Sequence, residues 1–194
     1  MTVPSEPWAT LAVLIPVKRF EEAKLRLAPA LDAADRASLA RTMADCVLRA
    51  AEPLPVTVVC DDRDVASWAE AAGAQVVWTA DLGLNGAVAK GVTHLAAAGF
   101  ARVIVAHADL LFATPGSLGD LPREGVVLVP DRHDDGTNVA SVPARIPFPW
   151  SYGPGSFGRH RRAATDLGIE PTVIRDRDLG WDVDTPADLV QMPT

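Results

Sequence analysis

The first 130 residues alternate between short apolar runs and longer segments whose apolar residues recur at helical spacing. Residues 11–17 are almost continuously apolar, which is typical of a strand buried on both faces of a sheet. Asp32 is a favourable N-cap for the amphipathic segment behind it, and Gly73 and Gly99 are favourable ends for two later ones. The pattern predicts strands over 11–17, 56–60, 75–78, 102–106 and 125–130, and helices over 32–51, 64–72 and 85–98.

The last third of the chain is less regular. It predicts strands over 137–142 and 171–175, helices over 156–167 and 186–191, and a segment rich in proline and aromatic residues over 145–152. Alternating strands and helices require crossover connections, so we expect one α/β domain over 1–194, with a mainly parallel mixed sheet flanked by helices. Residues 1–10 lack a basic start and are expected to form a flexible lead-in, not a signal peptide.

Composition excludes two classes of partner. The chain has 194 residues and a formal net charge of −7, from 25 acidic residues against 18 Lys and Arg. It lacks the basic tract on which nucleic-acid binding relies, and no apolar run approaches the ~20 residues of a membrane span. Cys46 and Cys60 lie in apolar runs and fit no metal-binding spacing, which favours a reduced, cytoplasmic setting.

The lysines are few and unevenly placed. Only three of the 18 cationic residues are lysines, and Lys18 and Lys24 both lie in the polar segment after the first predicted strand, whereas Lys90 lies in a helix. Ligands of open α/β sheets bind beyond the carboxyl ends of the strands, where a lysine offers phosphates a compact charge. A solvated charged loop is the alternative, and spacing alone leaves both interpretations open.

Three aspartates are candidate metal ligands. Asp109 follows the fourth predicted strand, where a carboxylate must be solvated, paired or metal-bound. Asp182 and Asp184 point to the same side of an extended segment and repel each other unless a cation neutralises them. The three together predict a Mg²⁺ site with lysines opposite. An N-cap or ion pair is the alternative for Asp109 and a helix cap for Asp184, and His107 is better explained by a structural role.

Two turns near the strand ends are candidates for the site, and one of them suits an anion. Residues 152–158 place glycines before a predicted helix, which offers backbone N–H groups and a favourable dipole to an anion, although they form neither a Walker loop nor a dinucleotide fingerprint. Residues 130–138 form a polar turn with Gly136 at the reversal, for which a simple surface turn is the alternative.

Six short motifs occur in order along nearly the whole chain. They are IPVK at 15–18 with Lys24 and Leu27, LNGA at 84–87, HAD at 107–109, GTN at 136–138, YGPGSF at 152–157 and DVDTP at 182–186. Together they resemble the CofC/FbiD family of 2-phospho-L-lactate or phosphoenolpyruvate guanylyltransferases of deazaflavin coenzyme F₄₂₀ biosynthesis. YGPGSF discriminates best, because other nucleotidyltransferases share DVDTP. One departure is Leu111, where the family often has proline.

The resemblance implies a Rossmann-like nucleotidyltransferase fold of the glycosyltransferase-A type and a role for each matching residue. Lys18 and Lys24 are expected to hold GTP phosphates, and Lys18, Lys24 and Asp109 to be catalytic. The expected nucleotide-binding residues are Pro16, Val17, Lys18, Lys24, Asn85 and Gly86, the phosphoacid-binding residues are Thr137, Gly153 and Ser156, and the Mg²⁺ ligands are Asp109, Asp182 and Asp184.

The expected reaction joins GMP from GTP to a small phosphoacid and releases pyrophosphate. The Arg- and Ala-rich composition suggests a GC-rich genome and favours phosphoenolpyruvate over 2-phospho-L-lactate. Another Mg²⁺-dependent nucleotidyltransferase, making a nucleotide-sugar or a molybdopterin-type dinucleotide, is one alternative, and a catalytically silent nucleotide-binding module is another. A second copy of the chain is a further candidate partner, since residues 146–150 form either a dimer contact or a buried flap.

Overall fold

The apolar runs form a seven-stranded mixed sheet. The structure, a computed structural model, describes residues 10–190. The strands are β1 Leu11–Pro16, β2 Val56–Cys60, β3 Gln75–Trp78, β4 Arg102–Ala106, β5 Val127–Pro130, β6 Thr137–Pro143 and β7 Thr172–Val173. Their order is β3-β2-β1-β4-β6-β5-β7. All neighbours are parallel except that β6 is antiparallel to both β4 and β5, so the predicted mainly parallel mixed sheet is confirmed.

Residues 10–190 also contain five α-helices and two short 3₁₀ helices. The α-helices are α1 Ala33–Ala50, α2 Arg63–Ala71, α3 Gly83–Ala97, α4 Ser156–Asp166 and α5 Pro186–Val190, and the 3₁₀ helices are Phe20–Glu22 and Leu25–Leu27. The Asp32 side chain caps α1 by accepting a hydrogen bond from the Asp35 N–H at 2.8 Å, as expected from the sequence. α3 begins two residues before its predicted start, and β7 is shorter than the predicted strand 171–175.

Alternate residues of β1 face opposite sides of the sheet, as its uninterrupted apolar run indicates. Val13 and Ile15 join the core that includes Met43 and Val47 of α1. Leu14 faces the other side and packs with α3 residues such as Val88, while α4 covers β5 and β6 farther along that same side of the sheet. The sheet is therefore buried between two layers of helices, as predicted.

The order of the strands brings the polar loops to one edge of the sheet. β1 and β4 are parallel and both end there, and the antiparallel β6 begins there with Thr137. The His107 N–H donates to the Asn138 carbonyl at 3.0 Å, and Asn138 Nδ2 donates to the Leu179 carbonyl, also at 3.0 Å. These bonds tie the ends of β4 and β6 to the segment that leads to Asp182.

Four further expectations concern the chain ends, membranes, the cysteines and the aromatic segment. Residues 1–9 of the predicted lead-in and Gln191 at the end of the last predicted helix lie outside the described residues. Within 10–190, no helix is long and apolar enough to cross a membrane. Cys46 and Cys60 are free thiols. In the aromatic segment, Phe148 is buried against α4, and Trp150 stacks on Tyr152, so these side chains pack on the chain's own core. A dimer contact at this segment stays a prediction.

Candidate functional site

Lys24 lies at the centre of the polar loops that meet where β1 and β4 end and β6 begins. It separates the two 3₁₀ helices and has a left-handed backbone, with φ of +55°, which is uncommon for a residue other than glycine. Its Nζ donates to Asp109 Oδ2 and to Asp184 Oδ1, each at 2.7 Å, and its side chain is only 9% exposed. Burial works to lower the pKa of Lys24, but Asp109 and Asp184 outweigh it and raise the pKa.

Asp109 is held as a carboxylate by this contact. It follows β4 directly, in the turn that also contains His107. Burial works to raise the pKa of Asp109, but the Lys24 ammonium outweighs it and lowers the pKa. The ion-paired aspartate considered from the sequence is therefore present. Burial lowers the pKa of His107, so that its imidazole is neutral at pH 7.

Asp182 lies where a negative charge is unfavourable. Burial, and then the negative charges of Asp109 and Asp184, raise its pKa to about 6. Arg132 Nη1 donates to the Asp182 carbonyl at 3.0 Å but lies 3.7 Å from Asp182 Oδ1. Arg132 also forms an ion pair with Asp188 and lies over the Trp181 ring, which fixes it beside the segment. Its guanidinium therefore positions the segment more than it neutralises Asp182.

The donor set fits a hard divalent cation, although the carboxylates are not yet arranged around one. Among residues 10–190, no group of three or more Asp, Glu, His or Cys side chains is placed to hold a metal ion, and Lys24 lies between Asp109 and Asp184. However, Asp109 Oδ1 and Asp182 Oδ1 are buried without hydrogen-bond partners. Carboxylate oxygens are the ligands that Mg²⁺ prefers, so the chemistry fits while the positions require adjustment.

Two clefts meet at this cluster. The first cleft encloses about 460 Å³ between the loop after β1, α1 and the start of α3. The second cleft encloses about 620 Å³ between the turn before β6, the start of α4 and the segment around Asp182. Both clefts share the residues Arg26, His107, Asp109 and Asp184. Ligands in the two clefts would therefore face each other across the lysine and the carboxylates.

The predicted nucleotide-binding residues divide between the first cleft and its rim. Pro16, Val17, Lys18 and Lys24 line the cleft, and Lys18 is exposed. Asn85 and Gly86 lie in the first turn of α3, where Leu84 contributes to the lining. Asn85 Oδ1 accepts a hydrogen bond from the Tyr152 N–H at 2.7 Å, so this side chain joins the rim of the first cleft to the segment entering the second.

The predicted phosphoacid-binding residues Thr137, Gly153 and Ser156 all line the second cleft. The expectation of exposed N–H groups at the start of α4 needs correction. The Gly155 N–H donates to Asp135 Oδ2, the Ser156 N–H to the Gly153 carbonyl and the Phe157 N–H to the Asp135 carbonyl. The turn thus satisfies much of its own helix terminus, because Asp135 folds back against it.

Several residues of the site were missed by the sequence analysis. Arg26 lies between the two clefts, 3.9 Å from Asp184. Arg159 donates to the carbonyls of Ser151 and Pro154 and so holds the turn before α4. For Arg26, proximity to Lys24 in the sequence was an available signal. For Arg159 there was none, because its contacts depend on how the turn folds back.

Comparison with known proteins agrees with this architecture. A family model described as guanylyl transferase CofC like matches residues 11–193. A phosphoenolpyruvate guanylyltransferase of Sphaerobacter thermophilus is 32% identical, covering 94% of this chain and 92% of the relative. A 2-phospho-L-lactate guanylyltransferase of Halorubrum lacusprofundi is 34% identical, covering 94% of this chain and 83% of the relative.

The fold has solved counterparts. A structure described as a nucleotide-diphospho-sugar transferase from Desulfovibrio desulfuricans G20 aligns with a TM-score of 0.71 at 19% identity, covering 93% of this chain and 84% of that one. The expected nucleotidyltransferase fold is thereby confirmed. Since the family model spans nearly the whole sequence and relatives above 30% identity align over most of it, this chain belongs to the guanylyl transferase CofC-like family.

Proposed function

We propose that this protein transfers GMP from GTP to the phosphate of a small phosphoacid and releases pyrophosphate, in the biosynthesis of deazaflavin coenzyme F₄₂₀ in the cytoplasm. Phosphoenolpyruvate is the proposed acceptor, and 2-phospho-L-lactate is the second candidate. The observation that supports this most is the meeting of two clefts at Asp109 and Asp184. The names of the relatives supply the identity of both substrates.

The reaction needs positioning and charge neutralisation more than a strong base. A phosphate oxygen of the acceptor attacks the α-phosphorus of GTP, and a new P–O–P linkage forms as the bond to the β-phosphate oxygen breaks. The electron pair leaves with pyrophosphate. The attacking phosphate is already largely dianionic near pH 7, since its second pKa is about 6. This suits a site that offers Lys24 and carboxylates, with His107 buried and neutral.

The residues have separate parts in this proposal. Lys18 and Lys24 hold the GTP phosphates, while Pro16 and Val17 contact the nucleotide in the first cleft. Asn85 and Gly86 approach the guanine. In the second cleft, Thr137, Gly153 and Ser156 hold the phosphoacid.

Asp109, Asp182 and Asp184 are the proposed ligands of Mg²⁺. When bound, the ion supplies positive charge that offsets the repulsion between the nucleotide and the attacking phosphate. The buried carboxylate oxygens Oδ1 of Asp109 and Asp182, which accept no hydrogen bond, support this assignment.

The test is pyrophosphate release from GTP with Mg²⁺ and one acceptor at a time. We expect release that depends on phosphoenolpyruvate or 2-phospho-L-lactate and is abolished in Asp109→Asn and Asp182→Asn. Asp120→Asn is the matched control, because Asp120 is an exposed aspartate outside both clefts, and it should keep wild-type activity.

Three results would contradict the proposal. Turnover with a sugar phosphate but no phosphoacid would indicate a different nucleotidyltransferase. If the protein binds GTP but releases no pyrophosphate, whichever acceptor is added, it is a catalytically silent module. Wild-type turnover by soluble Asp109→Asn or Asp182→Asn would remove these carboxylates from the metal site.

A further inference from the structure

His160 lies behind the second cleft and is cut off from solvent. It lies one helical turn after Ser156 in α4 and is 0% exposed. Three aromatic residues pack around its imidazole, with ring centroids 5.6, 6.0 and 4.8 Å away for Phe148, Trp150 and Tyr152. Water is excluded there, so both imidazole nitrogens depend on protein partners.

The two partners of His160 determine its tautomer. The Ser151 backbone N–H donates to Nε2 at 3.0 Å, so Nε2 carries no proton. The second nitrogen, Nδ1, lies 3.0 Å from Thr137 Oγ1 and must then be the N–H that donates to it. Burial, assisted by the positive charge of Arg159, lowers the pKa of His160 to about 4, which keeps the ring neutral at pH 7.

The hydrogen bond from His160 leaves the Thr137 hydroxyl able to donate its own proton to an acceptor. Thr137 is 2% exposed and lines the second cleft at the start of β6. Because its oxygen accepts from His160, its O–H is directed to another acceptor. Phosphate and carboxylate groups offer only acceptors, so a site for them needs donors held in place.

We infer that His160 is a positioning residue for the acceptor: its Nδ1–H fixes the Thr137 hydroxyl as a hydrogen-bond donor to the phosphoacid. This inference rests on the proposed function and deepens it. α4 then contributes two residues to phosphoacid binding. Ser156 lines the second cleft directly, and His160 acts through Thr137. An unheld hydroxyl would rotate and lose part of its interaction with the anion.

Two substitutions at His160 separate positioning from structural support. His160→Leu and His160→Asn both remove the acceptor of the Ser151 N–H, so they share the loss of that hydrogen bond. Only His160→Asn keeps an N–H donor close to the position of Nδ1. At the partner position, Thr137→Val removes the hydroxyl and Thr137→Ser keeps it.

The experiment measures KM for phosphoenolpyruvate and for GTP in these variants and in the double variants with Thr137→Val. We expect His160→Leu to raise KM for phosphoenolpyruvate about tenfold over His160→Asn, the scale of a hydrogen bond to a charged group. KM for GTP should stay within roughly twofold, because the nucleotide lies in the other cleft. In the Thr137→Val background, Leu and Asn at position 160 should give the same KM.

The inference would be overturned if His160→Leu and His160→Asn raised KM for phosphoenolpyruvate equally, or if KM for GTP rose in parallel. It would also be overturned if the effects of the position-160 and Thr137→Val substitutions on KM multiplied in the double variants. A ¹⁵N NMR spectrum of the wild type that shows an Nε2–H tautomer for His160 would also overturn it. Absence of turnover by the wild type with every phosphoacid would overturn the proposed function instead. In that event, inorganic phosphate is titrated: weaker binding to His160→Leu than to His160→Asn supports the positioning role, and equal binding refutes it.

Discussion

Replacing Lys24 by methionine removes the positive charge between Asp109 and Asp184 while keeping a side chain of similar length. The Lys24 side chain is 9% exposed, and its ammonium contacts both carboxylates at 2.7 Å. Breaking a buried ion pair by removing one partner destabilises by about 3–5 kcal/mol, because the other charge stays buried and unpaired. Asp184 is 43% exposed and partly solvated, so the lower end applies, about 3 kcal/mol.

The free energy of unfolding is measured by urea denaturation, with Lys90→Met as the matched control. Lys90 Nζ donates to the Trp78 carbonyl on the exposed surface, so that change should stay below about 1 kcal/mol. The loss in Lys24→Met corresponds to a fall in Tm of roughly 6–12 °C for a chain of this size. If Mg²⁺ binds the carboxylates, it should raise the Tm of Lys24→Met more than that of the wild type.

The pH dependence has a definite sign. The pKa of Lys24 is raised in the folded state, so its contribution is present below the ordinary lysine pKa and is lost only as pH rises through the folded value. The pKa of Asp109 is lowered, so its contribution is present above the ordinary aspartate pKa and is lost as pH falls through the folded value. The difference between wild type and Lys24→Met should therefore be present near neutral pH and shrink on acidification, because burial raises the pKa of the unpaired Asp109 in the variant. A loss no greater than in Lys90→Met, or one that grows on acidification, would refute the reasoning.

Three other residues give predictions about stability. Gly91→Ala should lower the free energy of unfolding by about 1–3 kcal/mol, because the new Cβ would lie 2.6 Å from Leu14 Cδ1. Gly158→Ala, in a helix with open space around the new Cβ, should raise the free energy of unfolding by about 0.5–1 kcal/mol. Equal changes for the two variants in urea denaturation would contradict this account. Because burial lowers the pKa of His160 to about 4, the unfolded chain binds its proton first on acidification, and stability should fall by about 2 kcal/mol between pH 7 and pH 5. A His160→Asn variant with the same pH slope would show that another group is responsible.

Much of the fold could be predicted because its elements are locally encoded. The alternation of apolar runs and helical patterns predicted the central strands within a residue or two, and Asp32 marked the start of α1. The misplaced limits have tertiary causes. β7 is only Thr172–Val173, because it lies at the edge of the sheet and pairs with just Val127 and Leu128 of β5. The placement of β6 between β4 and β5 could not be derived from a local pattern, since strand order depends on which connections can pack.

In the candidate site, too, local sequence predicts some features and tertiary packing decides the others. Lys24, Asp109 and Asp184 could each be selected from the sequence, since each is a charged residue next to a predicted element and has a place in a motif. That Lys24 forms ion pairs with both carboxylates, 85 and 160 positions away along the chain, depends on the sheet that brings their loops to one edge. The sequence by itself determined the chemical groups, the elements that carry them and the family resemblance. The tertiary structure alone decided which groups meet, that two clefts share one cluster, and that His160 donates to Thr137, because hydrogen bonds and burial depend on distances in space.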